Sequence, residues 1–470
     1  MPALHELSAA ELTASYEGGE LSPVEVTRTL LERIDAWEPR LNAMYLIHRE
    51  TALQQARDSE GRWRVQAPLS PLDGVPVTLK ENIATKGDPA PIGTAANEPA
   101  APQSADAPPA ARLRQAGCVF LGKTTMPDYG MLSAGVSSVH GVTRNPWNTA
   151  KNTSGSSAGA GAAAAAGYAP LHLGTDIGGS VRLPATHCGI FALKPSLGRV
   201  PVYPPYMGRV TGPMTRSVAD SAMLMNVLTR PDPRDFMSLP HEPIDYLAAV
   251  REAGSARLRN LRIGFLPDMR CGLPVHAEVR AAAEAAGLAL QQAGCIVEEM
   301  PSFLTPEMLD GMSLFFEARS YNDYVQLPRE RQAKVLPFIA EWCTWRAKKF
   351  SGRDVIAAYG MVMAMREAAV RATLPFDYVL SPTSPILPYE AESPCPGGDP
   401  KNALPHIAFT VPYNMSEQPA ASLPWCASQD GLPIGVQVIG RRFDDAGVLR
   451  LAAALERLRP VQKAWPEPGA

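Results

Sequence analysis

Two serines in small-residue turns carry the chemistry this 470-residue chain is best equipped to perform. They occur in SGSSAGAGAAAAAGYAPLHLGTDIGGS, residues 154–180, so Ser156 and Ser180 stand 24 positions apart (180 − 156) around a helix-length Ala/Gly run. Missing side chains leave backbone N–H groups free to face a ligand, and glycine permits close approach and unusual dihedrals. A hydroxyl beside such donors suggests a nucleophile with an oxyanion hole. A tight turn and a closely packed helix account for the same residues, because Gly and Ser favour turns for conformational reasons alone.

A serine nucleophile needs a base. The eight histidines are scattered, and His172 and His187, the nearest, lie in short apolar stretches that read as strand or loop and as structural imidazoles. Cys188, the rival nucleophile, sits in a similar stretch and reads as a small core residue. Lys80 has a different setting. Residues 75–79 are rich in β-branched types and follow the turn pair Asp73-Gly74, so they predict a strand with Lys80 at its end. A lysine there is either a solvated edge charge or an amine whose burial lowers its pKa enough to make it a base.

These residues fall into a familiar pattern. The chain resembles the amidase signature family of serine amide hydrolases in Val77-Thr78-Leu79-Lys80, in Gly155-Ser156-Ser157-Ala158-Gly159, and in Gly174-Thr175-Asp176-Ile177-Gly178-Gly179-Ser180-Val181-Arg182. Flanking segments at 143–148, 183–185, 193–196, 381–383, 414–420 and 430–437 extend the likeness to nearly the whole chain, weakest at about 232–377. Two departures are small: Thr153-Ser154-Gly155 replaces the usual Pro-Gly-Gly, and Ala158 follows the paired serines. The resemblance implies Ser180 as nucleophile, Ser156 as a bridging hydroxyl on a cis peptide, and Lys80 as base. It implies an oxyanion hole of N–H groups from Ile177, Gly178, Gly179 and Ser180. Ser157, Asp176 and Arg182 would brace the loop, with Gly130, Met131 and Ser133 at the substrate. The expected product is a carboxylic acid, released from an acyl-enzyme formed from a primary amide, aryl amide, urea-like or carbamate substrate. A glutaminase subunit of a tRNA-dependent amidotransferase and a catalytically idle binding protein are the other classes.

The elements around these residues read as α/β. Ser8 to Glu11 and Ser22 to Glu25 have the form of capping boxes opening two N-terminal helices, the second running to about Trp37. From residue 70 to about 228 strands alternate with helices, which predicts a sheet covered on both faces; the family resemblance implies that this sheet is mixed and largely parallel. The family fold treats 1–470 as one domain, with 232–377 as the divergent, substrate-determining part. Phe315, Phe316, Tyr321, Tyr324, Trp342 and Trp345 lie in that part, and such spacing favours core over pocket. Gly117 to Thr124 has the spacing of a phosphate-binding loop, but its Cys-Val-Phe-Leu centre is strand-forming where that motif needs a loop.

A net charge of −3 without a basic cluster argues against nucleic acid or an anionic membrane as partner. No stretch approaches the roughly 20 apolar residues of a membrane span, and the start lacks a basic-then-apolar signal, so the cytoplasm is expected. Seven spread cysteines without Cys-x-x-Cys suggest neither disulfides nor zinc. No metal or cofactor is expected, and the expected assembly is a homodimer.

Overall fold

The computed structural model describes residues 3–254 and 258–469. Its frame is an eleven-stranded sheet. In chain order the strands are β1 (Met44–Ile47), β2 (Pro76–Lys80), β3 (Val119–Thr124), β4 (Leu171–Asp176), β5 (Phe191–Lys194) and β6 (Val210–Thr215). They continue as β7 (Arg262–Phe265), β8 (Ile296–Glu299), β9 (Tyr378–Pro382), β10 (Ala420–Ala427) and β11 (Pro433–Ile439). The spatial order is β1-β3-β2-β4-β6-β5-β10-β11-β9-β7-β8.

The sheet is mixed, as expected, but its parallel share is smaller than expected. Parallel pairing is confined to β2 with β3 and β4, and to β7 with β8 and β9. The strands between these flanks pair antiparallel. Connection length explains part of this: only residues 428–432 join β10 to β11, too few for the crossover that a parallel pair requires.

Side-chain alternation along the strands puts helices on both faces. Phe191 and Leu193 of β5 belong to the core that includes Val218 and Leu224 of the helix Val218–Leu228, while Ala192 packs with Ala160, Ala164 and Ala185. Every residue of the helix Ala158–Ala166 is buried. It can lie so close to its neighbours because it lacks bulk: a Cβ on Gly159 would stand 2.1 Å from the carbonyl oxygen of Ala43. That close fit fixes the helix start, and with it the serines just before it.

Ser8 closes its capping box, with Glu11 N–H donating to Ser8 Oγ at 3.2 Å and Ser8 N–H to Glu11 Oε2 at 2.8 Å. Ser22 caps the helix Pro23–Leu41 without one: its Oγ accepts from Val24 N–H and donates to Glu60. That helix passes Trp37 and ends where Asn42 turns left-handed at φ 50°. Residues 117–124 form a turn and β3, with Lys123 buried. The divergent part supplies β7, β8 and the packed helices Pro306–Val325 and Gly352–Thr373. Of its aromatics, Phe316 and Trp342 are buried in a second core that also takes in Leu132, Leu404 and Ile407.

Candidate active site

The end of β2, the turn before the helix Ala158–Ala166 and the loop after β4 converge. Lys80 is fully buried, and its Nζ donates to Ser156 Oγ at 2.8 Å and to Thr175 Oγ1 at 3.1 Å. Burial pushes its ammonium down to about 7, against the partial support of Asp176. Of the two readings of a strand-end lysine, the buried amine is the one the fold adopts. The Gly155–Ser156 peptide bond is cis. Ser156 and Ser180 line the same hollow, and Ser157 N–H donates to the Ser180 carbonyl at 3.1 Å. Ser157 Oγ also bonds both main-chain groups of Thr175, accepting from its N–H at 3.3 Å and donating to its carbonyl at 3.2 Å. The two serine turns are therefore tied to each other and to β4.

The loop after β4 is organised by one buried ion pair. Arg182 donates from Nε to Asp176 Oδ2 and from Nη2 to Oδ1, each at 3.1 Å, with both side chains fully buried. Burial alone would raise the Asp176 carboxyl, but the Arg182 charge and the bonds from Arg182 and Asn414 hold it well below the usual carboxylate range. Asp176 also accepts from the N–H groups of Gly179 at 2.7 Å and Val181 at 3.1 Å. This corrects one expectation: the Gly179 N–H points at Asp176 and is not free to face a ligand. Among the described residues, the N–H groups of Ile177, Gly178 and Ser180 have no such acceptor.

Arg182 has further partners that motif reading missed. It donates to the Thr410 carbonyl at 3.0 Å, to Gln437 Oε1 at 2.7 Å and to Asn414 Oδ1 at 2.6 Å. Thr410 Oγ1 in turn donates to the Gly178 carbonyl at 2.6 Å. Asn414 and Gln437 lie in segments that already matched the family pattern, and a polar residue in each was the only local signal.

A second hollow adjoins the first and shares Gly130, Met131, Ile177, Ser180 and Arg319 with it. It is lined by Leu132, Phe316, Leu404 and Ile407, so it is largely apolar. Ser133 also borders it, its carbonyl accepting from the Tyr389 hydroxyl at 2.6 Å and the Ser154 hydroxyl at 3.2 Å. Asn82, Arg209 and Arg319 at the first hollow were not foreseen. Neither His172 nor His187 borders these hollows. His172 donates from Nε2 to the Ala169 carbonyl at 2.9 Å, leaving Nδ1 to accept from Thr78 at 2.7 Å. His187 lies on the helix Arg182–Cys188, not in a strand or loop, edge-on to Tyr389. Cys188 is buried at the end of that helix, and burial pushes its thiol far up.

Among the described residues, no three His, Cys, Asp or Glu side chains gather as a metal site would require, and no helix is long and apolar enough to cross a membrane. The family described as Amidase matches residues 25–449. An acylamidase of Rhodococcus erythropolis is 34% identical, over 97% of this chain and 96% of its own. A glutamyl-tRNA(Gln) amidotransferase subunit of Chloroflexus aggregans is also 34% identical, over 97% of each chain. A crystal structure of a bacterial aryl acylamidase of the amidase signature family superposes with a TM-score of 0.89, at 28% identity and 97% coverage of both chains. The matched span, the relatives and the superposed fold agree: this chain belongs to the amidase signature family and is a hydrolase of carbon–nitrogen bonds.

Proposed function

We propose that the chain hydrolyses a small-molecule amide through an acyl-enzyme on Ser180. The observation that carries this is the buried Lys80 amine, 2.8 Å from Ser156 Oγ, beside a hollow that Ser156 and Ser180 share. Neutral Lys80 takes the Ser156 hydroxyl proton as Ser156 takes that of Ser180, and Ser180 Oγ bonds to the substrate carbonyl carbon. The C–N bond then breaks as the proton returns along the same path to the leaving nitrogen. Water, deprotonated by the same relay, cleaves the ester and restores Ser180. The oxyanion is held by the N–H groups of Ile177, Gly178 and Ser180, and loss of one such donor costs about 3–4 kcal/mol of barrier. Gly179 supports the loop rather than the oxyanion.

The test is a screen of primary amides, anilides, ureas and carbamates, with mass spectrometry of the trapped adduct. Acid release and an acyl or fluorophosphonate adduct on Ser180 are expected, both absent from Ser180→Ala. Turnover by Ser180→Ala above a trace refutes the assignment. The similarity to an amidotransferase component supports a second reading, a glutaminase working with partner chains. It predicts glutamine hydrolysis and poor anilide turnover by the isolated chain. The favoured reading predicts the reverse.

A further inference from the structure

Two arginines at the candidate active site are paired with no acid among the described residues. Arg209 lies just before β6, and Arg319 lies on the helix Pro306–Val325, three residues after Phe316 on the same helical face. Both line the hollow that holds Ser156 and Ser180, and Arg319 also lines the apolar hollow next to it. Their guanidiniums flank Tyr206, at 5.9 Å and 4.2 Å from its ring centroid. Among the described residues, the Arg209 guanidinium has one hydrogen bond, to the Pro204 carbonyl at 3.3 Å, and the Arg319 guanidinium has none. Neither forms an ion pair with another described residue. Of the acids nearby, Asp176 pairs with Arg182, and Glu317 with Arg346 at 2.7 Å; Asp323, four residues after Arg319 on the same helix, is exposed and accepts from Asn322 rather than from Arg319.

Two like charges, held near each other in a partly buried cleft and left without counter-charge, disfavour the empty site. Burial and the neighbouring Arg319 together lower Arg209 to about 10. A planar carboxylate meets the guanidinium fork in a bidentate geometry that no group of the chain itself supplies here. The hollow beside them offers Leu132, Phe316, Leu404 and Ile407 to an apolar group.

Resting on the amide-hydrolase reading above, we propose that the natural substrate is an amide with an apolar body and a carboxylate, the carboxylate held between Arg209 and Arg319. The apolar body occupies the neighbouring hollow, and the scissile carbonyl lies between the two, at Ser180.

Calorimetric binding to the Ser180→Ala protein tests this independently of turnover. The probes are succinanilate, with its carboxylate on the acyl side, against butyranilide, and 4-butyramidobenzoate, with its carboxylate on the amine side, against N-(4-acetylphenyl)butyramide. At least one carboxylate should bind about tenfold more tightly than its neutral partner, the scale of a charge-assisted hydrogen bond. Arg209→Gln and Arg319→Gln should each bring that ratio close to one, and the lysine variants, which keep charge but lose the fork, should fall between. Equal or weaker binding of both carboxylates refutes the proposal and needs no variant. So does a preference that survives both glutamine substitutions. A carboxylate preference in binding, with no amide hydrolysed by the wild type, sustains this subsite and refutes the amide-hydrolase reading instead.

Discussion

If Lys80 is the base, its protonation sets the acidic limb of activity. With the amine at about 7, half of it is neutral at that pH, and about a tenth at one pH unit lower. Below this point kcat/KM should therefore fall about tenfold per pH unit, and above it should level off. The limb belongs to the Lys80–Ser156 couple, since the two are hydrogen-bonded at 2.8 Å. Lys80→Arg keeps a cation in the site, but its guanidinium stays protonated and accepts no proton. Both Lys80→Arg and Lys80→Ala should therefore lose the general-base contribution, about 10²- to 10⁴-fold in turnover, or about 3–5 kcal/mol of barrier. Initial rates on a 4-nitroanilide, from about pH 5.5 to 9.5 so as to bracket the limb, provide the assay. A Lys80→Arg enzyme with near-normal turnover and the wild-type limb would remove Lys80 from the mechanism.

Three further outcomes are expected. Asp176→Asn leaves Arg182 buried without its counter-charge and should cost about 3–5 kcal/mol in urea unfolding. Because the folded Asp176 carboxyl lies below its unfolded value, its stabilisation is present at neutral pH and lost as pH falls below the usual carboxylate range. The gap to the wild type should therefore narrow in acid, and a gap that persists there contradicts the ion-pair account. Gly179→Ala places a Cβ 2.5 Å from Thr410 Oγ1 and 2.8 Å from Leu183 Cδ1, at φ +130°. It should cost about 1–3 kcal/mol of stability and reduce kcat through the displaced loop, and wild-type kcat would show that the loop geometry is not required. Exhaustive chelation should leave activity intact, since the lysine–serine relay supplies the nucleophile; loss that returns with added metal refutes this.

What was legible in the sequence shares a local cause. Lys80 ends a short β-branched strand, and Ser156 and Ser180 lie in runs of Gly and Ala, so neighbours within a few residues mark each one. The brace of Arg182 by Asn414 and Gln437 spans more than 200 residues, and only the sheet order brings those groups together. Gly179 was misassigned for a related reason: an N–H in a glycine turn looks free until Asp176, three residues back, is seen to curl onto it. Arg319 was hidden inside a long helix, where residue type does not reveal which face meets a cavity. Its spacing from Phe316 was a usable signal, but only once one of the pair was known to line the hollow.

Burial alone does not single out Lys80. Lys123 and Lys194 are equally buried, and burial lowers them to about 8 and about 7. Their partners separate the three. Lys194 donates to the Pro195 carbonyl, which has no proton to give back. Lys123 donates to the Ile83 carbonyl and to Thr85 Oγ1, and the Thr85 hydroxyl proton is already directed at Asp88. Either amine, once neutral, faces only acceptors. Lys80 instead faces Ser156 Oγ, which has no other hydrogen-bond partner among the described residues, so its proton is free to turn toward the amine. A depressed pKa makes a lysine able to accept a proton; a neighbour with an uncommitted proton, itself in reach of the cavity, gives it one to accept. Of the three, only Lys80 meets both conditions.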